Sequence, residues 1–148
     1  KGMRILMDHG FADAPKLDVL LVPGGQGTRT EVDNPALLHW IANVAKDCQW
    51  VTSVCTGSLL LAEAGPAAGK RITTHGAAMD LVRKRGKAGE VLEGVRYVRD
   101  GNVVTSAGVS AGIDMALWLI GEMYSPGFAR SVQRNMEYDP APPYAAEV

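Results

Sequence analysis

Cysteine is scarce in this chain. Cys48 and Cys55 are the two it has, seven positions apart. That interval suits neither a disulfide framework nor a metal-ligand cluster, so a stapled secreted scaffold and a cysteine metal site are excluded. A reducing, cytoplasmic setting is the expectation. A charge surplus is lacking as well: 15 basic residues face 16 acidic ones, for a net −1. Such a balance leaves no electrostatic footprint for nucleic acid and no polybasic patch for anionic lipid. No apolar run approaches the ~20 residues of a membrane span. The opening "KGMRILMDHG" is charged and too short in apolar content for a signal peptide.

What is present suffices for one domain over residues 1–148: 47% of the 148 residues are apolar, enough for a complete core. Short β-type runs alternate with helical periodicity. "MRILMD" (3–8), "LDVLLVPGG" (17–25), "WVTSV" (50–54) and "RITTH" (71–75) read as strands, the second as one buried on both faces. Residues 33–47 open with Asp33 or Asn34 as cap and Pro35 in the first turn, and their apolar positions recur at helical spacing. Residues 57–65 read as a helix stopped by Gly65, and 77–86 as a helix with basic residues in its last turn. A hairpin is expected to turn at Asp100-Gly101-Asn102, followed by helices over 110–124 and 126–138 and a proline-rich tail. Alternation of this kind predicts an α/β fold, a mostly parallel sheet with helices on both faces.

Within it, "TSVCTGS" places Cys55 between a strand and a helix. That is the layout of a nucleophile elbow, where a sharp turn lifts the reactive group above the carboxyl edge of the sheet. A helix N-terminus favours the thiolate, the reactive form, and the Thr56 N–H can hold a developing anion. Packing is the competing use of such a cysteine, and Cys48, at a helix end, is read as packing. "VPGGQGT" (22–28) can bring further amides, from Gly25 or Gln26, to the same edge. Its spacing is neither a phosphate loop nor a dinucleotide fingerprint. A proton must also move. The three histidines, His9, His39 and His75, are followed two places on by Phe11, Ile41 and Ala77, so no His-x-Glu pair accompanies the cysteine. Cys55 is followed by Thr56, so no Cys-His pair exists either. His75 ends a strand and is a candidate near the substrate, and Thr56 can offer its hydroxyl as well as its N–H. Trp118, Tyr124 and Tyr138 read as core or interface, and Asp114 as a partner of nearby backbone.

Taken in order, "DVLLVPGGQGTR", "VTSVCTGSLLLAEAG", "ITTHG", "VRDGNVVTSAGVSAGIDMALWLI" and "MEYDPAPPY" resemble the ThiJ/PfpI superfamily over essentially all 148 residues. Within it the chain looks most like the isonitrile hydratases. The resemblance implies a flavodoxin-like three-layer sandwich of the class I glutamine-amidotransferase type. It also implies a strand–helix unit upstream of the position of Lys1, which carries the family's acidic partner of the cysteine. The implied reaction adds water to an isonitrile through Cys55 and Thr56, with Gly25, Gln26, His75 and Gly76 around the substrate. No cofactor is implied, and a homodimer is. Gly76 stands where hydratases carry tryptophan, which puts pocket shape in doubt. Two other readings stay open: a glyoxalase- or deglycase-like cysteine enzyme, and a non-catalytic sensing domain of an AraC-type regulator.

Overall fold

The computed structural model describes residues 4–139. Three parallel strands, β1 (Val19–Val22), β2 (Trp50–Val54) and β6 (Val103–Ser106), form its main sheet, with β5 (Tyr97–Asp100) antiparallel on the edge in the order β1-β2-β6-β5. A second, two-stranded parallel sheet pairs β3 (Arg71–Ile72) with β4 (Glu90–Val91). The helices are α1 (Thr28–Glu31), α2 (Pro35–Val44), α3 (Gly57–Ala64), α4 (Met79–Arg85), α5 (Ala111–Met123) and α6 (Pro126–Asn135), with a single 3-10 turn at Gly76–Ala78.

Side chains alternate across a strand, so each face of the sheet collects its own apolar set. Leu20, Val22, Val51 and Val103 face one side and pack with Ile41 of α2 and Leu59, Leu60 and Leu61 of α3. Trp50 and Val104 face the other and meet Met115 and Leu119 of α5. The result is the mixed, mostly parallel sandwich expected of a flavodoxin-like α/β fold. Asn34 caps α2, its side chain accepting from the amides of Ala36 and Leu37, with Pro35 in the first turn. The α4 helix ends at Gly86 in the left-handed region. Asp100 pairs with Val103 across a two-residue turn, and Gly101 takes its positive φ of 65°.

Three strand expectations need correction. Residues 4–8 form no strand, and Ile5, Leu6 and Met7 are exposed; no neighbouring backbone among the described residues offers them a ladder. The strand read over 17–25 narrows to β1, which is buried on one face and only partly covered on the other, where Val19 packs against the Trp50 cluster. Leu20 and Val22 are buried while Leu21 is 48% exposed, because α5 lies over the neighbouring strands. The run 71–75 pairs as a strand only over Arg71–Ile72. Side chains serve its amides instead: Arg71 N–H donates to the Asp100 carboxylate (2.9 Å) and Thr73 N–H to Thr105 Oγ1 (2.8 Å). The Arg71 amide, aided by Lys70, holds the Asp100 carboxyl below its usual range. Most of the proline-rich tail lies outside the described residues.

Candidate active site

Cys55 follows β2 directly and stands one residue before Thr56, which precedes the first turn of α3. Its φ is 59°, a left-handed conformation that costs a residue with a Cβ roughly 1–2 kcal/mol. The neighbourhood pins it there. Its N–H donates to the carbonyls of Ser106 (3.1 Å) and Ala107 (3.0 Å). Its own carbonyl accepts from Ser58 Oγ (3.2 Å) and Thr74 Oγ1 (3.0 Å). Both peptide groups are thus tied to β6, to α3 and to the chain after β3, which gives the expected elbow its geometry.

Gly24 closes the elbow from the other side. A Cβ on Gly24 would stand 2.7 Å from both Cys55 Cβ and Thr56 N, so the loop after β1 passes close enough only without a side chain. Gly25 has φ 139° and carries the loop on. The buried pair Thr28 and Thr56 then locks loop to elbow. Gly25 N–H donates to Thr56 Oγ1 (3.0 Å), the two hydroxyls lie 2.9 Å apart, and the Gly25 carbonyl lies 2.8 Å from Thr28 Oγ1 and 3.2 Å from Thr56 Oγ1.

Proton counting on this network revises two expectations. Each hydroxyl has one proton, and both are taken up by Gly25 O and the opposing hydroxyl. The Thr56 hydroxyl is therefore a fastener between loop and helix, its proton engaged within this network. The Gly25 N–H is spent on Thr56 in the same way, so it is not the oxyanion donor that the glycine loop suggested. The amides of Gln26 and Thr56 have no hydrogen-bond partner among the described residues. Replacing Thr28 by valine is expected to cost about 1–3 kcal/mol, since the Gly25 carbonyl and the buried Thr56 hydroxyl lose a partner. Urea unfolding checks this, and Thr28→Ser should recover most of the loss.

A cleft of about 510 Å³ opens at these strand ends, lined by Gly25, Gln26, Arg29, Cys55, Thr56, His75 and Ala77. The elements meet at the carboxyl ends of parallel strands, where open α/β sheets take ligands. His75 Nδ1 accepts from Ala77 N–H at 3.1 Å, capping the 3-10 turn. The neutral ring must then carry its proton on Nε2, as a donor. Gly108 makes room for this ring: a Cβ there would stand 2.7 Å from His75 Cδ2. Gly76 does not line the cleft, and a Cβ on it would meet open space.

The sequence reading missed Arg29 and Thr28. Both sit on α1, a single turn whose helical signal is drowned by the glycines before it. Other candidates fall elsewhere. Cys48 is buried, its Sγ beside the Val44 carbonyl, and desolvation, then Asp47 and Asp18, push its thiol up. Asp114 bonds side chains and not backbone, accepting from Arg96 Nε and from Tyr138 OH. Trp118 packs edge-on to Trp50, whereas Tyr124 is exposed. Among the described residues no His/Cys/Asp/Glu cluster could hold a metal ion, and no helix is long and apolar enough to cross a membrane.

Known proteins resemble this chain in sequence and fold. The chain is 43% identical over 143 residues to the isonitrile hydratase of Pseudomonas putida, covering 97% of this chain and 61% of that protein. It is 33% identical over 134 residues to the HTH-type transcriptional regulator CdhR of Pseudomonas aeruginosa, covering 90% of this chain and 39% of the regulator. The chain therefore spans less than two thirds of either relative. Among solved structures, a ThiJ/PfpI family protein from Pseudomonas syringae superposes with a TM-score of 0.82 at 35% identity, over 93% of this chain and 57% of that one. The DJ-1 protein of Schizosaccharomyces pombe, at 22% identity and a TM-score of 0.67 over 82% of this chain and 63% of that one, shares the fold. The family model for DJ-1/PfpI matches residues 1–122, and the chain belongs to the DJ-1/PfpI family.

Proposed function

We propose that the protein is an isonitrile hydratase-like enzyme, converting an isonitrile and water into an N-substituted formamide. The observation that carries this reading is Cys55 held at φ 59° on the elbow, lining the cleft next to the amides of Gln26 and Thr56. The 43% identity to an isonitrile hydratase supports it.

The chemistry runs in three steps. The Cys55 thiolate attacks the terminal carbon of R–N≡C, forming a C–S bond, and that carbon takes a proton to give a thioimidate. Water adds across the C=N bond, its oxygen to the carbon and a proton to the nitrogen. The C–S bond then breaks, returning the thiol and leaving R–NH–CHO. Amides of Gln26 and Thr56 can stabilise the anionic tetrahedral stage, and His75 Nε2–H can hydrogen-bond the substrate. The described cleft residues include no carboxylic acid, and the family resemblance assigns the first proton to one. A cytoplasmic homodimer completes the reading.

Incubating the full-length native protein with cyclohexyl isocyanide is expected to yield N-cyclohexylformamide, read by mass spectrometry. Turnover of methylglyoxal in place of the isonitrile would favour a glyoxalase- or deglycase-like enzyme. A regulator-like sensing role, suggested by the similarity to CdhR, predicts ligand binding with no product from either compound.

A further inference from the structure

Arg29 lines the same cleft as Cys55, and it is the charged residue among the described cleft residues. The other residues there are glycine, glutamine, cysteine, threonine, histidine and alanine, so no carboxylate in the described lining neutralises it. Its side chain makes no hydrogen bond or ion pair among the described residues. Arg83, Arg85, Arg96 and Arg99, in contrast, are each paired with an acidic side chain. Arg29 is placed by the turn that Thr28 and Thr56 fasten to the elbow, and its N–H bonds the Gln26 carbonyl. The turn sets the Arg29 backbone at the rim of the cleft, and its exposed guanidinium offers a planar fork of donors suited to a carboxylate.

We infer that the cleft selects small electrophiles bearing a carboxylate, with Arg29 holding the anionic end while Cys55 meets the electrophilic carbon. For the proposed hydration, on which the substrate half of this inference rests, the preferred substrate is an isonitrile carboxylate and not a neutral alkyl isonitrile.

Two measurements test it, one independent of hydration. Iodoacetate and iodoacetamide alkylate a thiolate by the same displacement: the S–C bond forms, the C–I bond breaks and iodide leaves. They differ in one negative charge. The rate ratio of iodoacetate to iodoacetamide at Cys55 is read by peptide mass spectrometry, which separates it from Cys48. This ratio is expected to exceed that of N-acetylcysteine about tenfold, the factor of one added charge-assisted contact. Arg29→Gln is expected to return it to the free-thiol value and Arg29→Lys to retain part of it, while Arg130→Gln on α6 leaves it unchanged. A parent ratio no higher than the free thiol's, or one that survives Arg29→Gln, overturns the inference.

The second measurement compares isocyanoacetate with its ethyl ester as substrates of the native protein, with a higher kcat/KM expected for the free acid, chiefly through KM. A raised alkylation ratio with no formamide from either compound defeats the hydratase reading and leaves the anion selectivity standing. Formamide from both compounds at equal efficiency, with an alkylation ratio at the free-thiol value, does the reverse.

Discussion

Cys55→Ala is expected to lower isonitrile hydration more than about a thousandfold, the scale on which nucleophile deletions act. The loss follows from the chemistry: without sulfur no thioimidate forms, and the remaining amides have only an unactivated isonitrile to act on. Cys55→Ser is expected to fail similarly, since the less acidic hydroxyl finds no strong base among the described cleft residues. Loss of activity through unfolding would look the same in an assay, so stability must be read beside it. Alanine keeps the Cβ and hence the strain at φ 59°. Glycine releases that strain, and Cys55→Gly is expected to unfold at a higher urea concentration than Cys55→Ala, by about 1 kcal/mol. Three results are therefore expected together: inactive alanine, inactive glycine, and a glycine variant that is the more stable. Formamide production that persists in Cys55→Ala excludes the thiolate mechanism. A glycine variant no more stable than the alanine one excludes strain at the elbow.

The elbow was legible in the sequence because each of its parts is local. A β-branched run feeds Cys55, Gly57 follows, and Gly65 stops the helix, so strand, turn and helix are written consecutively. The hairpin at Gly101 and the cap at Asn34 are local in the same sense. Features that depend on a distant partner were not legible. The apolar content of residues 4–8 and of Leu21 gives no sign of which faces have a neighbour. Periodicity likewise could not show that Thr105 and Asp100 would occupy amides of the 71–75 run. The site divides the same way. Cys55, Gln26 and His75 could be placed at strand ends from sequence, and they line one cleft. Thr56 could be placed there too, but its hydroxyl's commitment to Gly25 and Thr28 depends on contacts 31 and 28 residues away in sequence.

Among the described glycines, Gly57→Ala is expected to be the most damaging methyl addition. A Cβ at Gly57 falls inside the van der Waals shell of the Val22 carbonyl oxygen, and stands 2.9 Å from the Val22 carbonyl carbon and 3.0 Å from the Pro23 oxygen. These are backbone atoms at the end of β1, where Val22 is registered against Ser53 of β2, so they cannot swing aside as a flexible side chain could. Either β1 shifts out of its ladder, or α3 moves away and takes the support of Cys55 with it. Overpacking usually costs about 1–3 kcal/mol. With rigid backbone on the receiving side the upper end or beyond is expected, above about 3 kcal/mol, which in a domain of this size lowers Tm by roughly 10 °C. Gly76→Ala is the matched control: its Cβ meets open space, and a change within about 0.5 kcal/mol is expected. Thermal unfolding followed by circular dichroism separates the two cases. Equal midpoints for both variants would mean that α3 and the end of β1 can slide past each other. The close approach of loop and helix would then not be what fixes the cysteine above the sheet.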